Sequence, residues 1–344
     1  MSDRVNRQWR LKTRPVGMVK ESDFEYVEEP AASPGEGQAL VRNYMVAFEP
    51  AMRGWLEDVE SYVPPVGIGE VMRASAVGVV VESQASEFAV GDIVTGTLGW
   101  QEYPLVDTGQ PSIFGGAQKL PPGATAEQAL SVFGITGLTA YFGYLDVGKP
   151  AEGDVVLVSG AAGATGSVVA QIARIKGASK VVGIAGGPDK CKWLTDTLWL
   201  DAAIDYKSDD VASRIAEECP KGVNVFFDNV GGEILEAALD NMAQNGRVVL
   251  CGGISAYNEE TQPSGPRNYM QLVVRRCRME GFIVIDFMDR IGEAVADLGK
   301  WVGEGKLLVE TDIQKGMENV PKTFLRLFEG KNRGKQLCQI GDAP

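Results

Sequence analysis

Val155-Val-Leu-Val-Ser-Gly-Ala-Ala-Gly-Ala-Thr-Gly-Ser167 is the stretch on which the fold turns. Its first five residues form an apolar run of strand length. Residues 168–175 then take up helical spacing, with Gly177 as the stop. Between the two patterns stand Gly160, Gly163 and Gly166. Glycines at a strand-to-helix turn let the backbone approach a pyrophosphate, and the helix start offers unpaired N–H groups and the positive end of a dipole. A glycine triplet alone also suits a tight turn with no ligand. The flanking strand and helix supply the context that a dinucleotide site needs.

Working outward, the alternation repeats. Strand patterns at 180–185, 203–205, 223–228 and 246–251 are separated by helical patterns at 190–200, 211–218 and 233–242. Strands alternating with helices of crossover length predict βαβ units on a parallel sheet, hence a doubly wound α/β domain. A last strand is expected at 279–287 and an amphipathic helix at 290–304. Upstream, from residue 10 to about 117, short apolar runs at 38–42, 70–72, 77–82 and 92–96 are broken by Gly and Pro, which predicts an irregular all-β half. A helical pattern over 125–145 closes at Gly148. Runs at 306–310, 324–327 and 335–340 read as the β half again. The chain is therefore expected to leave one domain (residues 1–130 and 305–344), build a second (131–304), and return.

The end of the second strand bears on the kind of dinucleotide. An NAD site places Asp or Glu there for the ribose 2′-hydroxyl. This chain has Gly186 and Gly187 instead, followed by Pro188-Asp-Lys-Cys-Lys192. Asp189 after a proline suits a helix start. The missing carboxylate and the nearby Lys190 suit a 2′-phosphate, which favours NADP(H), whereas Lys192 reads as a solvated helix residue.

Composition narrows the chemistry. The 344 residues include no histidine, 5 cysteines and 42 glycines, and 33 basic against 46 acidic side chains leave −13. Without histidine there are no imidazole zinc ligands, no Ser-His-Asp or Cys-His triad, and no histidine general base. The negative balance argues against nucleic acid and anionic membranes as partners. No apolar stretch of membrane-spanning length or export signal is read, and Cys191, Cys219, Cys251, Cys277 and Cys338 are widely spaced. Reduced thiols in a cytoplasmic protein with no metal site are expected.

The sequence resembles the zinc-independent medium-chain dehydrogenase/reductase group that includes leukotriene B4 dehydrogenase/prostaglandin reductase, plant alkenal double-bond reductases and bacterial curcumin reductase. The resemblance spans nearly the whole chain. It is carried by Arg14-Pro-Val-Gly17, Glu49-Pro-Ala-Met-Arg-Gly54, Ser61-Tyr-Val-Pro-Pro65, Gly99-Trp-Gln-Glu-Tyr103, Gly137-Leu-Thr-Ala-Tyr141, the glycine turn, Ala185-Gly-Gly-Pro-Asp-Lys-Cys191, Asp228-Asn-Val-Gly-Gly232, Cys251-Gly-Gly-Ile-Ser-Ala-Tyr-Asn258 and Glu329-Gly-Lys-Asn-Arg-Gly-Lys335.

That resemblance implies a GroES-like β domain that carries substrate and a Rossmann domain that binds NADPH. It also implies reduction of the C=C bond of α,β-unsaturated ketones or aldehydes, and a homodimer. Carried over by position, Gly163, Ala164, Thr165, Gly166 and Ser167 face the pyrophosphate. Gly187, Lys190 and Tyr206 face the 2′-phosphate end. Asn229, Cys251, Gly252, Ile254, Ser255, Tyr257, Phe282, Ile283, Val284 and Asn332 hold the rest of the cofactor. Tyr257 and, second, Tyr62 match tyrosines near the substrate carbonyl, where an enolate needs a hydrogen-bond donor. For Tyr62 a packing role is the standing alternative.

The chain departs from the group at Ala51, where an aromatic is common, and at Trp55, where a smaller or charged residue is usual. It departs again at Ile135-Thr136 in place of Met-Pro, and at Trp199 in place of a glycine. The competing readings are an NADPH quinone reductase of the same fold and a non-enzymatic NADPH-binding protein.

Overall fold

The structure is a computed structural model that describes residues 4–108, 116–261 and 264–344. Its internal contacts divide the chain into Ser131–Glu310 and a second unit made of Met1–Leu130 with Thr311–Pro344. The return to the second unit comes later than residue 305 because Leu307 is buried in the core of the first, where Leu308 N–H donates to Gln171 Oε1 at 2.7 Å.

Residues Ser131–Glu310 hold a six-stranded sheet in the spatial order Ala202–Asp205, Lys180–Ala185, Val155–Ser159, Val223–Asp228, Met242–Leu250 and Arg278–Gly281. Every neighbouring pair is parallel. Both faces of the central strands are apolar, as a sheet covered by helices on each side requires. Val156, Val158 and Phe227 face one buried cluster with Val169, Ile172 and Leu298. Leu157 and Phe226 face another with Leu235, Leu239 and Ile215. Each such side chain contributes about 1.5–3 kcal/mol on removal from water. The chain starts in the middle of this sheet, moves to one edge, and jumps back to lay Val223–Asp228 beside Val155–Ser159. The direction of winding reverses between Ser159 and Asp228, the position at which such sheets open a crevice at their carboxyl ends.

The helix expected at 211–218 and the strand expected at 223–228 are found with those bounds. Other expectations are corrected. The helix drawn over 190–200 is Pro188–Asp196, with proline opening its first turn. The chain then needs a reversal to bury both Leu198 and Leu200, and Trp199 between them takes φ +53 with its side chain exposed. That is the position at which the resemblance calls for glycine, and a left-handed non-glycine residue there costs about 1–2 kcal/mol. The strand drawn over 279–287 ends at Gly281. Phe282 turns in against Gly143, where a Cβ would stand 2.3 Å from the ring, and Val284–Arg290 forms short helical turns.

In the other unit a seven-stranded sheet runs in the order Thr311–Lys315, Lys335–Gln339, Gln38–Ala47, Ser75–Ser83, Ile93–Thr97 and Gln118–Lys119, with Leu105–Asp107 pairing off the path beside Gln38–Ala47. Residues 109–115 of the expected β half lie outside the described residues. The strand drawn at 70–72 is only a single bridge between Val71 and Arg10. The run at 324–327 belongs to the helix Val320–Leu325, because Val320 and Phe324, one turn apart, are both buried. Residues 306–310 form no strand; the strand begins at Thr311.

An antiparallel pair, Val5–Leu11 with Phe24–Pro30, has no counterpart in the sequence reading. The reason is that its inward positions include Asn6 and Gln8, both buried. Asn6 exchanges hydrogen bonds with the Gln101 side chain at 3.0 Å and Tyr103 N–H at 2.9 Å, so polar residues occupy the positions where hydrophobic alternation is sought.

Candidate functional site

The glycine turn has the shape that its residues require. Gly160 takes φ +59 directly after the strand Val155–Ser159, and Gly163 N–H closes onto Gly160 O at 2.9 Å. The helix Ala164–Ile175 starts with Gly163 as an extended cap, and no side chain caps its first turn. A Cβ on Gly166 would lie 2.4 Å from Gly160 O, so the helix packs on the turn more closely than any side chain allows. The result is a bare helix start that suits an anionic group.

Behind this turn Asp228 is fully buried. Ser159 Oγ donates to its Oδ1 at 2.7 Å, Val230 N–H donates to the same oxygen at 3.0 Å, and Gly231 N–H reaches both carboxylate oxygens at 3.1 Å. Burial pushes the carboxyl above the usual aspartate range, against the opposing pull of these three donors. The backbone oxygen of Asp228 accepts Cys251 N–H at 2.9 Å and Gly252 N–H at 3.2 Å. Asn229 N–H donates to Ser159 Oγ at 2.8 Å, and Asn229 Nδ2 donates to Ser159 O at 2.7 Å. One acid therefore gathers the ends of three adjacent strands. Sequence reasoning passed over Asp228 and Ser159 as site residues, although an acid at a strand end before Asn-Val-Gly-Gly was a visible signal.

The loop 251–257 is bound to the same centre. Ile254 N–H donates to Asn229 O at 3.3 Å, and Ser255 donates to Val230 O through both N–H, at 3.2 Å, and Oγ, at 2.6 Å. Tyr257 folds back over its own turn: its hydroxyl accepts Gly253 N–H at 3.2 Å, and a Cβ on Gly252 would stand 2.9 Å from that oxygen. Burial, with Asp228 nearby, pushes the half-buried Cys251 thiol up to about 12, so it is no nucleophile at neutral pH. Phe282, Ile283 and Val284 follow the neighbouring edge strand, with Val284 in the core.

At the second strand end the ring of Tyr206 lies against Gly186, where a Cβ would come within 2.8 Å of it. A side chain at 186 would have to displace the outer end of the Tyr206 ring. Gly187, at φ +98, has open space where its side chain would be. The one acid bound to this turn is Asp205, which sequence reasoning also missed. It accepts Gly187 N–H at 2.8 Å and Lys207 N–H at 3.0 Å, and these bonds hold it below the ordinary aspartate range. Its role is to fix the turn. Lys190 sits half-buried in the first turns of Pro188–Asp196, while Lys192 is exposed and ion-paired with Asp196. Tyr206 is about half exposed.

Two of the expected residues, Tyr62 and Asn332, belong to the other unit. Asn332 Nδ2 donates to Gly334 O at 3.0 Å and shapes the turn before the strand Lys335–Gln339. In that strand Lys335 is buried and its Nζ meets Glu49 Oε1 at 2.5 Å. This pair anchors the single-turn segment Pro50–Leu56, in which Arg53, also buried, donates to Glu57 at 3.0 Å and to Gly17 O at 3.1 Å. Tyr62 follows on the next loop. Its hydroxyl accepts the Trp55 indole N–H at 3.3 Å, and its ring is nearly half exposed.

Two family profiles match this chain: one described as the N-terminal domain of oxidoreductase, over residues 7–113, and one described as zinc-binding dehydrogenase, over residues 164–300. A putative NADP-dependent oxidoreductase of Bacillus subtilis, YfmJ, is 42% identical over 98% of both chains. The NADPH-dependent curcumin reductase of Escherichia coli is 39% identical over 97% of each. Among solved structures, CurA of Vibrio vulnificus in complex with NADPH superposes with a TM-score of 0.91 at 39% identity, covering 98% of this chain and 100% of that one.

Because Asp228 satisfies donors that no other group can reach, Asp228→Ala is expected to lower unfolding stability by about 2–4 kcal/mol. Ser159→Ala, which leaves Val230 and Gly231 N–H paired with Asp228 and removes only the acceptor of Asn229 N–H and one donor to the carboxylate, is expected to cost less, about 1–2 kcal/mol. Urea unfolding of the two variants checks this ranking; equal midpoints for Asp228→Ala and the unaltered chain would contradict it.

Proposed function

We propose that this chain, which belongs to the zinc-independent medium-chain dehydrogenase/reductase family, reduces the C=C bond of α,β-unsaturated ketones and aldehydes with NADPH. The observation that carries the reading is the nucleotide end of the first unit. Gly186 and Gly187 take the place of an NAD-type carboxylate, the Tyr206 ring lies against Gly186, and the half-buried Lys190 follows in the next helix, which supports a 2′-phosphate there. It is joined by likeness over nearly the full chain to a curcumin reductase. The zinc named in the family description has no counterpart here, since the chain has no histidine and its first cysteine is Cys191.

Gly163 to Ser167 hold the pyrophosphate at the bare helix start, and Asn229, Cys251, Gly252, Ile254 and Ser255 form the floor that Asp228 gathers. Phe282 to Val284 and Tyr257 complete the cofactor contacts proposed on this unit. When bound, NADPH would supply the hydride that the β-carbon of the substrate receives. Negative charge then grows on the carbonyl oxygen, and the chain must offer it donors. With no imidazole in the molecule the neutral donors are hydroxyls of the chain or of the cofactor ribose, and backbone N–H groups. Tyr257 is the first, its oxygen already tied to Gly253 N–H and so fixed in place. Tyr62 is the second. A proton must then reach the α-carbon.

The same reading makes the molecule a cytoplasmic homodimer; among the described residues no helix is long and apolar enough to cross a membrane. The unpaired sheet edge at Arg278–Gly281 and the exposed Tyr269, Met270, Val273 and Val274 beside it form the surface for the second copy. Light scattering is expected to give twice the 36.9 kDa chain mass, and Val273→Glu with Val274→Glu to give one chain. A single-chain mass for the unaltered protein rejects the dimer.

Following NADPH oxidation over a panel of enones, enals, quinones and saturated ketones tests the activity. Turnover is expected on enones and enals, and turnover confined to quinones would assign the rival chemistry. Lys190→Ala is expected to shrink the preference for NADPH over NADH about tenfold, the scale of one hydrogen bond to a charged group. Equal affinity for both cofactors in the unaltered chain would reject the 2′-phosphate assignment.

A further inference from the structure

Trp55 is one of the positions where this chain departs from its group, and it is buried under a loop whose other features all concern Tyr62. Its Nε1–H donates to the Tyr62 hydroxyl at 3.3 Å. The guanidinium carbon of Arg73 lies 5.6 Å from the centre of the Trp55 ring, on the same side chain that addresses Tyr62, and Arg73 Nη1 donates to Pro64 O at 3.0 Å. The two ends of the loop are closed by Val66 N–H on Trp55 O at 2.8 Å and by Arg14 Nη1, which reaches Leu56 O at 2.7 Å and Val66 O at 3.1 Å. Val63 is buried and the two prolines 64 and 65 follow it, so the residue after Tyr62 is pinned as well. Tyr62 is thus a half-exposed side chain on a loop that is fastened at both ends and just after the tyrosine.

We propose that Trp55 is a positioning residue that aims the Tyr62 hydroxyl as a hydrogen-bond donor toward the substrate carbonyl oxygen, with Arg73 bracing the indole. The indole is a donor only, so it occupies a lone pair of the phenol and leaves the phenol's own hydrogen to be directed elsewhere. A hydroxyl that accepts one hydrogen bond donates the next more strongly, because the chain of bonds polarises each member. The cation over the indole face draws electron density from the ring and strengthens its N–H in the same direction. Burial holds the Arg73 guanidinium below its ordinary value, against the opposing pull of Glu70. The ligand chemistry this serves is an acceptor oxygen conjugated to an alkene, in a molecule that meets the exposed face of Tyr62.

The inference rests on the reading of Tyr62 as a donor to an enone. Steady-state kinetics on an enone should be measured for Trp55→Phe, which keeps a ring for Arg73 but has no N–H, for Tyr62→Phe, and for the double variant. Each single change is expected to lower kcat/KM for the enone about tenfold while the KM for NADPH stays unchanged, and the double variant is expected to fall no further than the weaker single. Losses that multiply in the double variant, or full kcat/KM in Trp55→Phe, overturn the proposal. A second readout needs no turnover: 3-fluorotyrosine placed at position 62 is expected to show a shifted fluorine resonance in Trp55→Phe, and an unmoved resonance overturns the proposal. An unaltered chain that reduces no enone rejects the substrate reading, and the fluorine resonance then decides the positioning claim alone.

Discussion

The burial of a single carboxylate constrains more of this molecule than any other contact. Asp228 lies at the end of a central strand with no exposure, and a buried acid of this kind is tolerated only when its oxygens are filled. The sequence around it answers that demand. Ser159, at the end of the neighbouring strand, brings a hydroxyl, and the glycine of Val230-Gly231 lets the chain turn back so that two backbone N–H groups point inward. The carbonyl of the same residue collects Cys251 and Gly252 from the next strand. The floor proposed for the dinucleotide is therefore built from backbone groups positioned by one acid. This explains how a cofactor site is assembled with few side chains that reach outward.

Buried charge plays a parallel part in the other unit. Lys335 and Glu49 meet out of water, and Arg53 is buried nearby with Glu57 and a backbone carbonyl as partners. Neither arrangement is expected to add much stability over a well-packed apolar equivalent, since removing such charges from water is itself costly. What they supply is a single conformation for residues 49–57, and with it a fixed place for Trp55 and the tyrosine that Trp55 addresses.

The legible and illegible parts of this molecule separate along a physical line. Where burial on both faces of a sheet forces apolar strands to alternate with crossover helices, as in Val211–Glu218 and Val223–Asp228, the pattern in the residues is the pattern in space. The glycines at 160, 163 and 166 were readable for the same reason, because the backbone geometry they permit is local. The strand Val5–Leu11 was not readable, since its inward residues are Asn6 and Gln8 and their partners lie about 95 residues away in sequence. Phe324–Leu327 misled because four residues show no period, and only the burial of Val320 one turn earlier identifies the helix. The candidate site divides likewise. Gly187 and Lys190 could be placed by counting from the glycine turn, and Trp55 stood out as a substitution without a visible partner, whereas the hold of Asp228 on Ser159 and of Asp205 on Gly187 joins residues 69 and 18 apart and is visible only once the chain is folded.

The absence of histidine gives the account its sharpest consequence. A reductase without imidazole or a metal ligand set of the usual kind leaves charge stabilisation to hydroxyl and backbone donors, while the hydride comes with the cofactor. The claim is tested most directly by turning over an enone with NADPH carrying deuterium at the transferable position of its nicotinamide and locating the label in the product by NMR. The account predicts a saturated ketone with deuterium on the β-carbon and an unlabelled carbonyl carbon. Deuterium on the carbonyl carbon of an allylic alcohol, or no label in any product, would contradict it.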